Sequence, residues 1–394
     1  MRYCNIIIYL LLFTITKSQN LVPNPSFETH STCPTNYGQI NKATGWDYVY
    51  AAQAAEYYNS CATGTNVSVP KNFSNSNYQL PKTGNGYAGI QTMHPSGYMR
   101  GNICSQLSTS LVNNSFYLVK FYVVNVQGYP IANNNLALSF SNTLTYTLAT
   151  NTTLNLPMHI YKFGNPVVID TLNWTEIMGI YKANGTEQFI IIGNFKDNLN
   201  TKVDTTNYGM IGNGAYYMID DVSVEPICTP FWSYSDTTVA VGDSVLIGPA
   251  ITGLNINWYD SNNNFIANAP AIYVKPNSPT YYTASEDFCN GITTHTINVM
   301  VSPTSVKEYN TFANSISLFP NPTTNSFTIS YLTESSKLKV DITDTQGNLY
   351  STELITATNN KAIIKTNLTN GVYFISITDT VSGLKTIKKL IVQK

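Results

Sequence analysis

Apolar residues in this chain come in short runs rich in β-branched and aromatic side chains, with almost no helical periodicity. Residues 116–124 (FYLVKFYVV), 136–140, 189–192, 216–224 and 374–378 are such runs. Turn-rich breaks separate them, among them Asn133-Asn134-Asn135, Asn184-Gly185, Gly212-Asn213-Gly214, Asn262-Asn263-Asn264 and Asn359-Asn360. Asn and Gly supply the positive φ that tight turns need. Short strands between regular turn signals predict an all-β protein built of sandwiches or barrels.

The first residues break this pattern. Met1 and Arg2 make a positive start, residues 6–15 (IIIYLLLFTI) are apolar, and Thr16-Lys17-Ser18 follow as a polar exit. That layout is a secretory signal peptide, expected to be cut near Ser18 or Gln19. The run is shorter than the ~20 apolar residues that span a bilayer. No later stretch is long and apolar enough to cross a membrane either, so the mature chain is expected to have no transmembrane segment.

Prolines around Glu225-Pro226-Ile227-Cys228-Thr229-Pro230 and the polar joint from Ser302-Pro303-Thr304 divide the rest. The expected parts are a signal peptide at 1–18, domains at 19–227 and 228–303, a linker at 304–315 and a domain at 316–394. A chain of 394 residues calls for several domains. Charged residues are only 11%, against roughly 25% in an average protein, and Asn, Thr, Ser and Tyr take the surface instead. A net charge of −1 gives no reason to expect nucleic acid or an anionic membrane as partner.

Cys4 leaves with the leader, which leaves Cys33, Cys61, Cys104, Cys228 and Cys289. Export favours disulfides. Cys33–Cys61 and Cys228–Cys289 each lie within one expected domain and are the preferred pairs, with Cys104 left over; spacing alone does not fix connectivity.

The C-terminal segment carries the most specific motifs. They are Phe319-Pro320-Asn321-Pro322, Asp344-Thr345-Gln346-Gly347, Gly371-Val372-Tyr373 and Lys388-Lys389-Leu390-Ile391-Val392. Alternating strands joined by Asn/Gly turns read as a small β-sandwich. In this order the motifs resemble the type A C-terminal sorting domain of the type IX secretion system. The resemblance implies passage through the outer membrane by that machinery, removal of the domain, and attachment of the remainder to surface lipopolysaccharide. The protein is then extracellular, held on the outer face of the outer membrane.

In the middle segment, residues 241–246, 256–259 with Trp258 in the core, 279–284 and 296–301 resemble an Ig-like or PKD-like spacer. Gly242-Asp243-Ser244 looks like a serine-esterase nucleophile block, but a nucleophilic Ser needs a base within hydrogen-bond reach. His295 lies on a different expected strand, so a strand-leading turn fits better.

The N-terminal segment opens Asn24-Pro25-Ser26-Phe27-Glu28, continues with Gly45-Trp46 and closes with Tyr217-Met218-Ile219-Asp220-Asp221-Val222-Ser223. It resembles the galactose-binding-like jelly rolls of carbohydrate-binding modules, with insertions around Cys33–Cys61 and residues 69–89. The resemblance implies a structural Ca²⁺ ligated by Glu28 and by Asp220 or Asp221. Ca²⁺ takes about six to eight oxygens. Successive strand residues face opposite ways, so only one of the two aspartates is expected to point at the ion. Sugar binding needs exposed aromatic platforms. Tyr48, Tyr50, Tyr57, Tyr58 and Tyr78 are the candidates, divided between surface and core, while Trp46 is expected in the core.

His30, His94, His159 and His295 are scattered without metal-site spacing. Acids are too scarce to suggest the carboxylate pair of a glycosidase. The expectation is a non-catalytic glycan-binding or adhesion protein. The alternatives are a structural surface-layer component and a weak polysaccharide hydrolase.

Overall fold

The computed structural model describes residues 19–49, 55–97, 100–144, 154–206, 211–289, 291–302, 312–331, 337–356, 361–380 and 383–394. The expected signal peptide, most of the expected linker and Tyr50 lie outside them. Two compact units result: residues up to 237 with 245–274 and 280–299, and residues 238–244, 275–279 and 300–394.

The N-terminal part of the first unit is a jelly roll. Its strands are β1 (Trp46–Tyr48), β2 (Ala55–Asn59), β3 (Lys71–Asn72), β4 (Asn77–Tyr78), β5 (Gly86–Met93), β6 (Ile103–Gln106), β7 (Phe116–Asn125), β8 (Ile131–Asn133), β9 (Leu136–Ser141), β10 (Ile160–Tyr161), β11 (Thr175–Lys182), β12 (Phe189–Asn194), β13 (Val203–Thr205) and β14 (Ala215–Pro226). One sheet runs β1-β6-β12-β9-β10 and the other β11-β7-β14-β5-β2. Neighbours pair antiparallel throughout.

Side-chain alternation builds the core. On β14, Tyr217 and Ile219 enter the space between the sheets, where they meet Phe121 of β7, Ile103 of β6 and Ile190 of β12. Tyr216 and Met218 face the other way, yet they too are buried. They pack with Tyr58, Tyr87 and Val124 beneath a cover that includes Val67, Phe73 and Tyr129. The second sheet is covered likewise: Cys104, Ala137 and Ile191 lie under Val49, Phe195 and the segment holding Leu154, Leu156 and Met158. Part of each sheet is therefore buried on both faces, as strands covered on two sides are, while Lys120 and Tyr122 of β7 and Glu176 of β11 stay partly exposed. The inserted segment supplies Val67 and Phe73 to the first of these outer layers. Cys104 is buried and unbonded within the second of them. Burial pushes its thiol up to about 12, so it behaves as a small apolar residue.

The middle segment contributes antiparallel strands Ile256–Tyr259, Phe265–Asn268, Thr280–Asp287 and Ile292–Ser302, with Val245–Ile247 paired to Ile272–Val274. Trp258 is fully buried, as expected, and its indole N–H donates to Ala269 O at 2.9 Å. Loop 250–254 docks on the edge of β11, where Ile180 N donates to Thr252 O at 2.8 Å. Gly253 permits the approach: a Cβ there would lie 1.8 Å from Ile180 O. The loop thus shields a strand edge that would otherwise offer open pairing groups. Ser244 is exposed, and Asp243 N donates to Ala240 O at 3.0 Å, a turn as the sequence suggested.

The C-terminal unit holds two sheets. In the first, Ser326–Tyr331 lies between Ile316–Phe319 and Lys361–Lys365. The second is ordered Leu349–Thr356, Lys337–Asp344, Gly371–Asp379, Lys385–Val392. Burial alternates along Lys337–Asp344, placing Leu338, Val340 and Ile342 in the core with Phe327, Ile375 and Leu390. The D-x-x-G motif is a closed turn: Asp344 Oδ1 accepts Gln346 N and Asn348 N, and Gly347 N donates to Asp344 O. Among the described residues no helix is long and apolar enough to cross a membrane.

Candidate functional site

The opening segment and β14 close one end of the jelly roll. Leu21 N donates to Val224 O at 2.8 Å, Val224 N donates to Asn20 Oδ1 at 2.9 Å, and Asn20 Nδ2 donates to Val222 O at 3.0 Å. Trp46 is buried against Phe27, with ring centroids 4.6 Å apart, and its indole N–H donates to Asn24 O. These contacts explain the N-P-S-F-E and G-W motifs: they seat the first residues on the sandwich and aim Glu28 back over it.

Glu28, Asp220 and Asp221 all grip the loop 82–86. Glu28 Oε1 accepts Asn85 N at 2.7 Å and Gly86 N at 3.0 Å, and its Oε2 accepts Asn85 Nδ2 at 3.1 Å. Gly84 is required beneath it, since a Cβ there would lie 2.3 Å from the carboxylate carbon. Asp220 Oδ2 accepts Lys82 N at 2.8 Å and Thr83 N at 3.3 Å. Asp221 Oδ1 accepts Ser26 Oγ and Thr83 Oγ1, both at 2.5 Å.

Both aspartates therefore contact one loop, although strict strand alternation would send successive side chains opposite ways. The reason is local. The β14–β7 register shifts between Asp220 and Ser223, and Asp221 takes a φ of 49°. A bulge of this kind re-aims one side chain and breaks strict alternation. Asp220 is fully buried, and among the described residues no Lys or Arg forms an ion pair with it. Burial, followed by repulsion from Asp221, pushes its carboxyl up to about 8. Glu28, Asp220 and Asp221 offer carboxylate oxygens of the kind Ca²⁺ takes, but the three do not converge within 4.8 Å of one another.

The tyrosine candidates separate. Tyr57 and Tyr58 are fully buried, which corrects their assignment to a binding surface. Tyr57 donates to Phe27 O at 2.8 Å, and the Tyr58 hydroxyl meets that of Tyr216 at 3.0 Å. They belong to the two-sided β2 strand, whose every residue is buried. Tyr48 is half-buried against the core. Tyr78 is 56% exposed, beside the equally exposed Leu80 on the covering segment. Tyr50 lies outside the described residues.

Sequence reasoning passed over Glu56. It is buried in the same outer layer and accepts the Tyr216 hydroxyl, with the Phe73 and Tyr129 rings packed on Tyr216. Burial pushes its carboxyl up to about 8. Gly89 makes room, because a Cβ there would lie 2.5 Å from the Tyr216 hydroxyl. The available signal was an acid inside the otherwise apolar run Ala55-Glu56-Tyr57-Tyr58.

Cys33 is bonded to Cys61, and Cys228 to Cys289. The remaining histidines lie apart: His159 Nδ1 accepts Phe140 N, His94 contacts Ser96, and His295 stacks on Tyr234.

Residues 317–393 match the family described as secretion system C-terminal sorting domain. No curated protein matches the chain. Among solved structures, the CBM22-1 xylan-binding domain of Paenibacillus barcinonensis Xyn10C is similar at 11% identity, with a TM-score of 0.27. That match covers 54% of this chain and 97% of that one. The K1 cleaved adhesin domain of Lys-gingipain from Porphyromonas gingivalis W83 is similar at 15% identity, with a TM-score of 0.24, covering 51% and 95%. Similarities this slight say nothing about ligand. The sorting domain marks the chain as a secreted protein.

Proposed function

We propose that the chain carrying this sorting domain is exported by the type IX machinery and held on the outer membrane through lipopolysaccharide. Its jelly roll acts there as a non-catalytic glycan-binding or adhesion module. The observation that supports the binding reading is the exposed Tyr78–Leu80 surface on the segment covering the β11-β7-β14-β5-β2 sheet. An aromatic ring with an apolar neighbour at the surface suits stacking on a sugar face. The Trp174 indole N–H donates to Leu80 O at 3.1 Å and steadies that segment.

Ca²⁺ belongs to the same reading. Glu28, Asp220 and Asp221 would hold it at the loop 82–86, and it would supply the positive charge that lets Asp220 ionise. Its role there is structural, joining the first segment, that loop and β14.

The test is retention of the purified secreted protein on immobilised polysaccharides, in Ca²⁺ and after chelation. Retention lost in Tyr78→Ala but kept in Tyr58→Phe supports the reading. A well-folded protein that binds no polysaccharide sinks it. A structural surface component is the second reading, favoured by the outer layers that cover both sheets, and it predicts self-association in place of glycan retention.

A further inference from the structure

A second group of ligating atoms lies beside the strand-end carboxylates and is independent of them. His30 Nε2 is 3.8 Å from Cys33 Sγ and 3.6 Å from Cys61 Sγ. Among the described residues, these three side chains are the group of His, Cys and acidic ligand atoms that converges within 4.8 Å. All three are partly buried, so small solutes reach them. The other imidazole nitrogen is engaged: Nδ1 lies 3.3 Å from Glu28 O and 3.3 Å from the Tyr57 hydroxyl. A proton on Nδ1, donated to that carbonyl, leaves the Nε2 lone pair facing the sulfurs. Outer partners of this kind fix the tautomer and ring orientation of a metal-binding histidine.

The geometry points to a soft-metal site that alternates with the disulfide: with the Cys33–Cys61 bond open, His30 Nε2 and the two thiolates bind one Zn²⁺. Tetrahedral bonds of about 2.3 Å to sulfur and about 2.0 Å to nitrogen place the nitrogen about 3.5 Å from each sulfur and the sulfurs about 3.8 Å apart. The nitrogen–sulfur distances already match, so the sulfurs need only separate. The Cα atoms, 5.6 Å apart, leave room for that. Water takes the fourth position, as in three-ligand zinc sites. Lys42 Nζ donates to Cys33 O at 3.2 Å and holds that end of the pair in place.

A newly made chain carries both cysteines as thiols and needs no reductant to enter this state. In the secreted protein, a phosphine reductant supplies two electrons. The sulfur–sulfur bond breaks, each sulfur takes a proton, and phosphorus leaves as its oxide with oxygen from water. Zn²⁺ then displaces both thiol protons as the two metal–sulfur bonds form. Two-electron oxidation by a disulfide reverses the sequence and releases the ion.

The experiment titrates Co²⁺, a spectroscopic stand-in for Zn²⁺, into the full secreted protein before and after phosphine reduction. Thiolate-to-metal charge-transfer absorption at one equivalent, only after reduction and displaced by Zn²⁺, is the expected result. Cys228→Ser/Cys289→Ser keeps the signal, Cys33→Ser/Cys61→Ser abolishes it, and His30→Ala weakens Co²⁺ affinity at least about tenfold. Tertiary circular dichroism of the reduced protein is recorded in parallel. No charge-transfer band, a band unchanged by His30→Ala, equal binding by the oxidised protein, or loss of tertiary structure on reduction each overturns the proposal.

Discussion

Asp220 and Asp221, adjacent on β14, hold the same residue by different atoms: Asp220 Oδ2 accepts Thr83 N at 3.3 Å, and Asp221 Oδ1 accepts Thr83 Oγ1 at 2.5 Å. Two carboxylates converging on one residue repel each other, and a cation between strand end and loop relieves that. Ca²⁺ should therefore raise the melting temperature of the secreted protein. At a hundredfold excess over Kd the gain is about 2.7 kcal/mol. Asp220→Asn should remove most of it, and a calorimetric scan with and without chelator reads the difference.

The pH dependence of the metal-free protein follows from two buried acids. Glu56 and Asp220 are each pushed up to about 8, from ordinary values of 4.5 and 3.8. The folded state keeps these protons after the unfolded chain has lost them. Their contribution to stability is complete below the unfolded values and is lost as pH rises towards 8. The steepest loss is about 1.4 kcal/mol per pH unit per group. Glu56→Gln should flatten the fall measured by urea unfolding between pH 5 and pH 8, chosen as about the span of the two shifts. An unchanged slope would refute this assignment.

Gly253 couples the middle segment to β11. Its φ of 86° and the 1.8 Å from a built Cβ to Ile180 O leave no space for a side chain. Gly253→Ala should cost about 2 kcal/mol or more. Increased amide exchange at Ile180 would show that the loss starts at this contact.

The Cys33–Cys61 bond closes a loop of 28 positions. Chain-entropy reasoning gives it about 3–4 kcal/mol. Cys33→Ser/Cys61→Ser should lower the denaturant midpoint accordingly, with the far-ultraviolet spectrum retained at low denaturant.

Removing residues 317–394 should leave the rest folded inside the cell envelope of a host with the type IX machinery. Fractionation would detect it there, and undiminished arrival at the cell surface would contradict the proposed route.

Much of this structure was legible in the sequence. Turn motifs such as Asp344–Gly347 specify local geometry, and Trp46 and Trp258 are large rings that a β core absorbs. The tyrosines were less legible. Alternation assigns Tyr57 and Tyr58 to opposite faces, but it cannot reveal that a later insertion buries the outer one. The same gap hid Glu56, whose surroundings come from β14, Phe73 and Tyr129. The bulge at Asp221 is likewise invisible to a period of two.

The contacts joining Asn20 to Val222 and Val224 bind residues up to 204 positions apart. In a chain crossing a membrane N-terminus first, the leading end of this domain waits for its partner strand until nearly the whole domain has emerged. The order of emergence, more than the strength of any single contact, then times when the domain can close.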